Sequence, residues 1–263
     1  MTEINTIYDS DCIEGMQKMP AGIVDVIVTS PPYNIGKAYT TYDDTRPREE
    51  YLDMMGTFAE KSYRVLSEQG SFYLNVGGSL KDPWIPMDVA QKFREQGFVL
   101  QNMIHWIKSI ALPEEGMVAG HYKPINSKRY HNDCHEFIYH FTKTGMVEID
   151  RLANGVPYQD KSNVSRWGGE KRDLRDRGNI WFIPYETIRE SRPHPAAFPV
   201  QLPLMCIKDH GISRCRLIMD PFMGIGNTAV AAVKLNIPFV GFEIDETYRK
   251  IANERVAAEL TMR

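Results

Sequence analysis

The sequence predicts an α/β sheet protein. Short apolar runs rich in β-branched and aromatic residues alternate with amphipathic stretches of helical period, the signature of that class. The 263 residues are 43% apolar, enough to bury a substantial core in one large domain with an insertion or in two smaller domains. The alternation fails in one stretch only, 144–195, which is rich in Gly, Asn, Arg and Asp.

Taken in order, residues 4–8, 23–29, 71–76, 103–107, 136–141, 216–219 and 239–242 read as strands, each a brief run of apolar residues. Helical spacing predicts helices over 48–66, 86–96, 199–209, 227–235 and 246–260. In the last, Tyr248, Ile251, Ala252, Val256 and Leu260 fall on one face with charges opposite. The 144–195 stretch carries Tyr158, Trp167, Trp181, Phe182 and Tyr185 without periodicity, and reads as a loop-rich insertion on a regular scaffold. Three segments follow: 1–143, the insertion 144–195, and 196–263.

No apolar run approaches the roughly 20 residues needed to cross a bilayer, and the first turns carry no signal-peptide pattern. Cys12, Cys134, Cys206 and Cys215 show no paired spacing, which fits a reducing compartment. A cytoplasmic protein without a membrane partner is expected. The net charge of −3 does not advertise nucleic-acid binding, but local clusters matter more than the sum. One cluster is Lys161, Arg166, Lys171, Arg172, Arg175 and Arg177; another is His121, Lys123, Lys128, Arg129 and His131. Because Glu170, Asp173 and Asp176 interleave with the first, a solvated mixed-charge surface explains it equally well. His131, Cys134 and His135 have a spacing that invites a zinc reading, but no second ligand pair accompanies them, so no metal is expected.

Two segments carry chemistry. The strand ending at Thr29 runs into Ser30-Pro31-Pro32-Tyr33. The two prolines lock backbone direction and remove two donors. A hydroxyl, outward carbonyls and a flat ring can then receive a planar ligand that bears an amino group. A strand-terminating turn is the plain alternative; its place at a strand's carboxyl end, where open α/β sheets bind ligands, favours the ligand. The second segment follows residues 216–219: Asp220-Pro-Phe222-Met-Gly224-Ile-Gly226-Asn227-Thr228. The glycines permit a tight turn and close approach to a ligand, and Asn227 or Thr228 is placed to cap the next helix. Nineteen residues beyond Gly224, Glu243 ends the next strand, where a carboxylate accepts ribose hydroxyls. This pattern also fits a dinucleotide fingerprint, which makes an NAD-dependent oxidoreductase a rival reading. It leaves the Ser-Pro-Pro-Tyr turn unexplained.

Together the motifs resemble the β group of DNA amino-methyltransferases, in which the catalytic tetrapeptide precedes the cofactor loop. Ser30-Pro31-Pro32-Tyr33 resembles the catalytic motif, and Asp220 through Thr228 resembles the S-adenosylmethionine loop. The segment from His194 to Phe198 is similar to the one that packs against the cofactor's methionine end. Glu243 matches the ribose-binding acid, and Asp11-Cys12 matches the segment whose Asp contacts the adenine. The resemblance implies the S-adenosylmethionine-dependent methyltransferase fold, Rossmann-like, with a seven-stranded, mostly parallel sheet, one antiparallel strand near an edge, and 144–195 as a target-recognition insertion. It implies double-stranded DNA as partner, met by Lys123, Lys128, Arg129, Arg166, Lys171, Arg172 and Arg175; a homodimer and a cognate restriction endonuclease are further partners it allows.

The implied reaction is methyl transfer to an exocyclic amine of a flipped-out base, with Tyr33 stacked on the base and Ser30 and the Pro31 carbonyl accepting from its amino group. In that group Ser at the first tetrapeptide position is typical of cytosine-N4 enzymes and Asp of adenine-N6 enzymes. N4-methylcytosine is therefore expected and N6-methyladenine is the alternative. A non-catalytic DNA-binding protein of the same fold is the remoter one. Residues 34–47 read as a loop that closes over DNA or cofactor, or as plain surface.

Overall fold

A strand that is apolar on both faces must be covered on both faces, and that requirement shapes this molecule. The computed structural model describes residues 2–120, 125–162, 173–184 and 196–262. Within them the strands are β1 (Thr6–Tyr8), β2 (Val24–Thr29), β3 (Leu66–Val76), β4 (Val99–Ile107), β5 (Ser109–Leu112), β6 (Met117–Gly120), β7 (His135–Thr142), β8 (Ile180–Phe182), β9 (Ile218–Asp220) and β10 (Phe239–Phe242). The helices are α1 (Cys12–Lys18), α2 (Arg48–Val65), α3 (Ile85–Glu95), α4 (Gln201–His210), α5 (Asn227–Leu235) and α6 (Glu246–Thr261).

Every residue of β2, β9 and β10 is buried. On one face of the sheet Met16, Tyr51, Met55, Phe58, Val89 and Phe93 from α1, α2 and α3 pack on Val24, Ile27, Phe72 and Leu74. On the other, Leu202, Cys206, Ala229, Val233, Ala252 and Val256 from α4, α5 and α6 pack on Val26, Val28, Tyr73 and Ile218. The alternation of strand side chains between faces divides the core into these two layers.

The main sheet has the order β1-β10-β9-β2-β3-β7-β4-β8. All neighbouring pairs are parallel except those made by β7, which runs antiparallel to both β3 and β4. The S-adenosylmethionine-dependent methyltransferase fold class is present, with eight strands instead of seven. The additional strand is β8, which pairs parallel with the end of β4 and so extends the sheet from within 144–195. It is held there by Trp181, which is buried, and by the Trp106 indole, which donates to the Ile183 carbonyl at 2.7 Å. Three residues are too few to show a period.

Other departures are local. Helix α1 has a Gly inside it and was not expected; Asp11 caps it, accepting from Ile13 N at 2.8 Å, and Glu14 stands three residues on in the first turn. Strands β5 and β6 form a separate hairpin. Helix α5 is preceded not by a side-chain cap from Asn227 or Thr228 but by Gly226 in the left-handed conformation, φ 81°. On α6 Tyr248, Ala252 and Val256 are buried as the period requires and Ile251 is half-buried, whereas Leu260, in the last turn, is 54% exposed.

Candidate active site

Strands β2 and β9 are parallel neighbours, with Val26 opposite Ile218 and Ile27 opposite Met219. Their carboxyl ends therefore emerge at one rim, although the residues that follow lie far apart in the chain. Asp220 joins them. Its Oδ1 accepts from the Thr29 hydroxyl at 2.6 Å and from Phe222 N at 3.0 Å, and its Oδ2 accepts from the Thr228 hydroxyl at 2.7 Å. The carboxyl is 1% exposed, and burial pushes its pKa up to about 6 against the pull of those hydrogen bonds.

The turn after β2 is braced from several sides. Pro31 is buried, and the Pro32 carbonyl accepts from the Tyr51 hydroxyl at 3.1 Å. Ser30 Oγ lies 2.7 Å from the Tyr33 hydroxyl. That hydroxyl is also 3.0 Å from Glu136 Oε2, at the start of β7, and 3.3 Å from Asn75 Oδ1, at the end of β3. Asn75 Nδ2 donates to Glu136 Oε2 at 2.9 Å, and Lys108 pairs with the other carboxylate oxygen. Sequence reading missed Asn75, Lys108 and Glu136, because only the sheet brings them beside residue 33.

The loop between β9 and α5 turns through Gly224 and Gly226 at positive φ, 52° and 81°. A Cβ on Gly226 would stand 2.8 Å from that of Ala252, so α5 and α6 close against each other only over a glycine. Gly224 N donates to Glu243 Oε2 at 2.7 Å, and Asp245 N to Glu243 Oε1 at 2.8 Å. Burial raises the Glu243 pKa. Each oxygen keeps a lone pair for a ligand hydroxyl.

A cavity of about 370 Å³ opens at this rim, and its wall includes Asp11, Cys12, Ser30, Pro32, Phe198, Phe222, Gly224, Asn227 and Glu243. Burial pushes the Cys12 thiol up, so it stays protonated. Asp220, Gly226 and Thr228 lie behind this wall and hold it; Pro31 and Tyr33 are off it too, with Tyr33 tied to it through Ser30. The Asn227 amide donates to the Phe198 carbonyl, while its Oδ1 is buried without a hydrogen-bond partner among the described residues. His194 lies outside the described residues.

The segment after the Ser30–Tyr33 turn lines the cavity with Tyr39, Tyr42 and Arg46. Its anchor is Asp44, 1% exposed, whose carboxylate accepts from the backbone N–H of Asn34, Ile35 and Lys37 at 2.8–3.1 Å. Thr40 is bonded to Asp245 at the head of α6. Of the basic residues singled out, Lys128, Arg129 and Arg175 are exposed, with Arg129 over the Tyr130 ring. Lys123, Arg166, Lys171 and Arg172 lie outside the described residues. No described helix is long and apolar enough to cross a membrane.

Residues 24–254 match the pattern of a family described as DNA methylase. The type II methyltransferase M.BglII of Bacillus subtilis is 30% identical over 97% of this chain and 70% of its own length. The DNA adenine methyltransferase YhdJ of Escherichia coli K12 is 24% identical over 97% of the chain and 83% of its length. Among solved structures, the cytosine-N4-specific PvuII DNA methyltransferase superposes with a TM-score of 0.71 at 21% identity, over 97% of this chain and 87% of its own. TTHA0409 of Thermus thermophilus, solved with S-adenosyl-L-methionine, superposes with a TM-score of 0.62 at 24% identity, covering 95% and 92%.

Proposed function

The chain belongs to the DNA methylase family and is a DNA methyltransferase of its N6/N4 class, and on that premise we propose that it methylates the exocyclic N4 of cytosine in a flipped-out base of double-stranded DNA, with S-adenosylmethionine as cofactor. The observation that carries this reading is the shared cavity: Ser30 and Pro32 from one end of the chain and Gly224, Asn227 and Glu243 from the other line the same space.

The cavity residues suit that cofactor. The orphan Oδ1 of Asn227 is an acceptor for an α-ammonium, and a buried acceptor left unmatched is costly enough to call for one. Glu243 offers lone pairs to a ribose, Phe222 offers an apolar wall, and Asp11 and Cys12 border the far side. When bound, S-adenosylmethionine supplies an electrophilic methyl on a sulfonium centre. The chain's own residues do the rest. Ser30 Oγ accepts from the base amino group, drawing the nitrogen lone pair out of conjugation, and the ring of Tyr33 stacks on the base. Lys128, Arg129 and Arg175, with the basic residues of 163–172, meet phosphates and base edges.

Ser30 at the head of the tetrapeptide favours cytosine. Adenine-N6 is the second reading, favoured by the resemblance to an adenine methyltransferase of E. coli. Incubation with labelled S-adenosylmethionine and unmethylated duplex DNA, followed by nucleoside mass spectrometry, decides: N4-methylcytosine is expected, and N6-methyladenine as sole product reverses the base assignment. Ser30→Ala and Tyr33→Ala are expected to abolish most turnover while cofactor affinity, read by calorimetry, is retained.

A further inference from the structure

Methyl transfer to an amine leaves the nitrogen with one proton too many, and the oxygens beside Ser30 are arranged to take it. Tyr33 has a single hydroxyl proton. Beside the 2.7 Å Ser30 contact, in which either hydroxyl can donate, it has three oxygens that only accept: Glu136 Oε2 nearest at 3.0 Å, then Asn75 Oδ1 at 3.3 Å and the Asn75 carbonyl at 3.4 Å. A carboxylate only accepts, so that proton points to Glu136. Ser30 must then donate across the 2.7 Å contact to the Tyr33 oxygen, which leaves a Ser30 lone pair for the base amine. Asn75 Nδ2 fixes Glu136 Oε2 from the other side at 2.9 Å, and Lys108 pairs with Oε1. The Lys108 and Glu136 side chains are only 18% and 13% exposed, an enclosed ion pair at the rim for which sheet pairing has no need.

We propose that Ser30, Tyr33 and Glu136 form a proton relay from the target amine to an ion-paired carboxylate. The inference rests on the amino-methyltransferase reading and holds for either base. The amine lone pair forms the N–C bond as the C–S bond breaks, its electron pair staying on sulfur. The surplus N–H proton passes to Ser30 Oγ, the Ser30 proton to the Tyr33 oxygen, and the Tyr33 proton to Glu136 Oε2. One proton leaves the amine, one carboxylate charge is cancelled, and nothing is oxidised or reduced. Glu136 reaches solvent enough to release the proton afterwards. It is a positioning residue, since it acts through Tyr33. A hydroxyl on the stacking ring would otherwise have no part in the chemistry.

The test compares wild type, Tyr33→Phe and Glu136→Gln in single-turnover transfer from labelled S-adenosylmethionine to duplex DNA, in water and in deuterium oxide. Tyr33→Phe keeps the stacking ring and Glu136→Gln keeps the volume, so cofactor affinity by calorimetry should not change. Both variants are expected to transfer at least about tenfold more slowly, the lower edge of what positioned proton transfer contributes, and to lose the wild-type solvent isotope effect. In cofactor-free protein carrying 13Cζ-tyrosine, the Tyr33 hydroxyl proton is expected as a slowly exchanging downfield resonance that is absent in Tyr33→Phe and shifted in Glu136→Gln. A wild type that makes no methylated nucleoside overturns the reading of the site and the relay with it. An active wild type whose variants match its rate and isotope effect, or which lacks the resonance, overturns the relay alone.

Discussion

Asp220→Asn should make this protein more stable at neutral pH and leave it unchanged in acid. The Asp220 carboxyl titrates near 3.8 in the unfolded chain and at about 6 in the folded one, chiefly because burial penalises its charge. Between those values the folded state holds a proton that the unfolded state has released, so stability falls as pH rises through the interval. Roughly two pKa units correspond to about 3 kcal/mol, lost in full above pH 6. Asparagine carries no charge to bury. Its Oδ1 still accepts from Thr29 and Phe222 N, and the Thr228 hydroxyl, already 3.5 Å from the Val28 carbonyl, can turn to donate there and accept from the new amide. At this chain length about 3 kcal/mol corresponds to a melting point higher by about 5 °C. Thermal melts of both proteins from pH 4 to 8 are the assay. A variant less stable at pH 7.5, or a melting-point difference that does not change with pH, refutes the reasoning.

Three further outcomes follow from other sites. Asn227→Leu removes the orphan acceptor, so S-adenosylmethionine affinity by calorimetry should weaken about tenfold or more, the worth of one hydrogen bond to a charged group; unchanged affinity would remove Asn227 from the cofactor site. His140, bonded to Ser71 and Asn102, is held down to about 3 by burial and by His210. The unfolded chain therefore takes up a proton that the folded one refuses, and stability is lost as pH falls below about 6.5. His140→Gln should cut that loss by about 2 kcal/mol between pH 7 and 5, read from urea midpoints; parallel wild-type and variant curves would contradict it. Gly226→Ala forces a Cβ into left-handed backbone 2.8 Å from Ala252. A destabilisation of about 2 kcal/mol or more is expected in chemical denaturation, and a neutral effect would mean that α6 yields.

Much of this was legible in the sequence, because the strands that matter most are short apolar runs with no competing helical period. Residues 239–242 and 227–235 were bounded as observed, and the tetrapeptide announced itself by two prolines at a strand end. What escaped was whatever depends on distant residues. Residues 30, 75, 108 and 136 form one polar cluster only because β3, β7 and β4 lie side by side. Asp44 looked like one acid in a polar loop, yet it is buried under three backbone amides that no local pattern reveals. In 144–195 the Gly and Asn content hid β8, whose three residues take their conformation from the edge of β4. The Asp11–Glu14 spacing before α1 was a readable signal that a Gly within the helix obscured.

The reversed direction of β7 has a further bearing. Its neighbours β3 and β4, both antiparallel to it, run outward to the edge that carries Asn75, near the end of β3, and Lys108, just past β4. A strand running the other way begins at that edge, so Glu136, the second residue of β7, is in position as soon as the backbone becomes regular. Precision at Glu136 is thus inherited from ladder hydrogen bonds and not from loop conformation. Evolution can lengthen or rewrite the segment upstream of His135 while that carboxylate keeps its place.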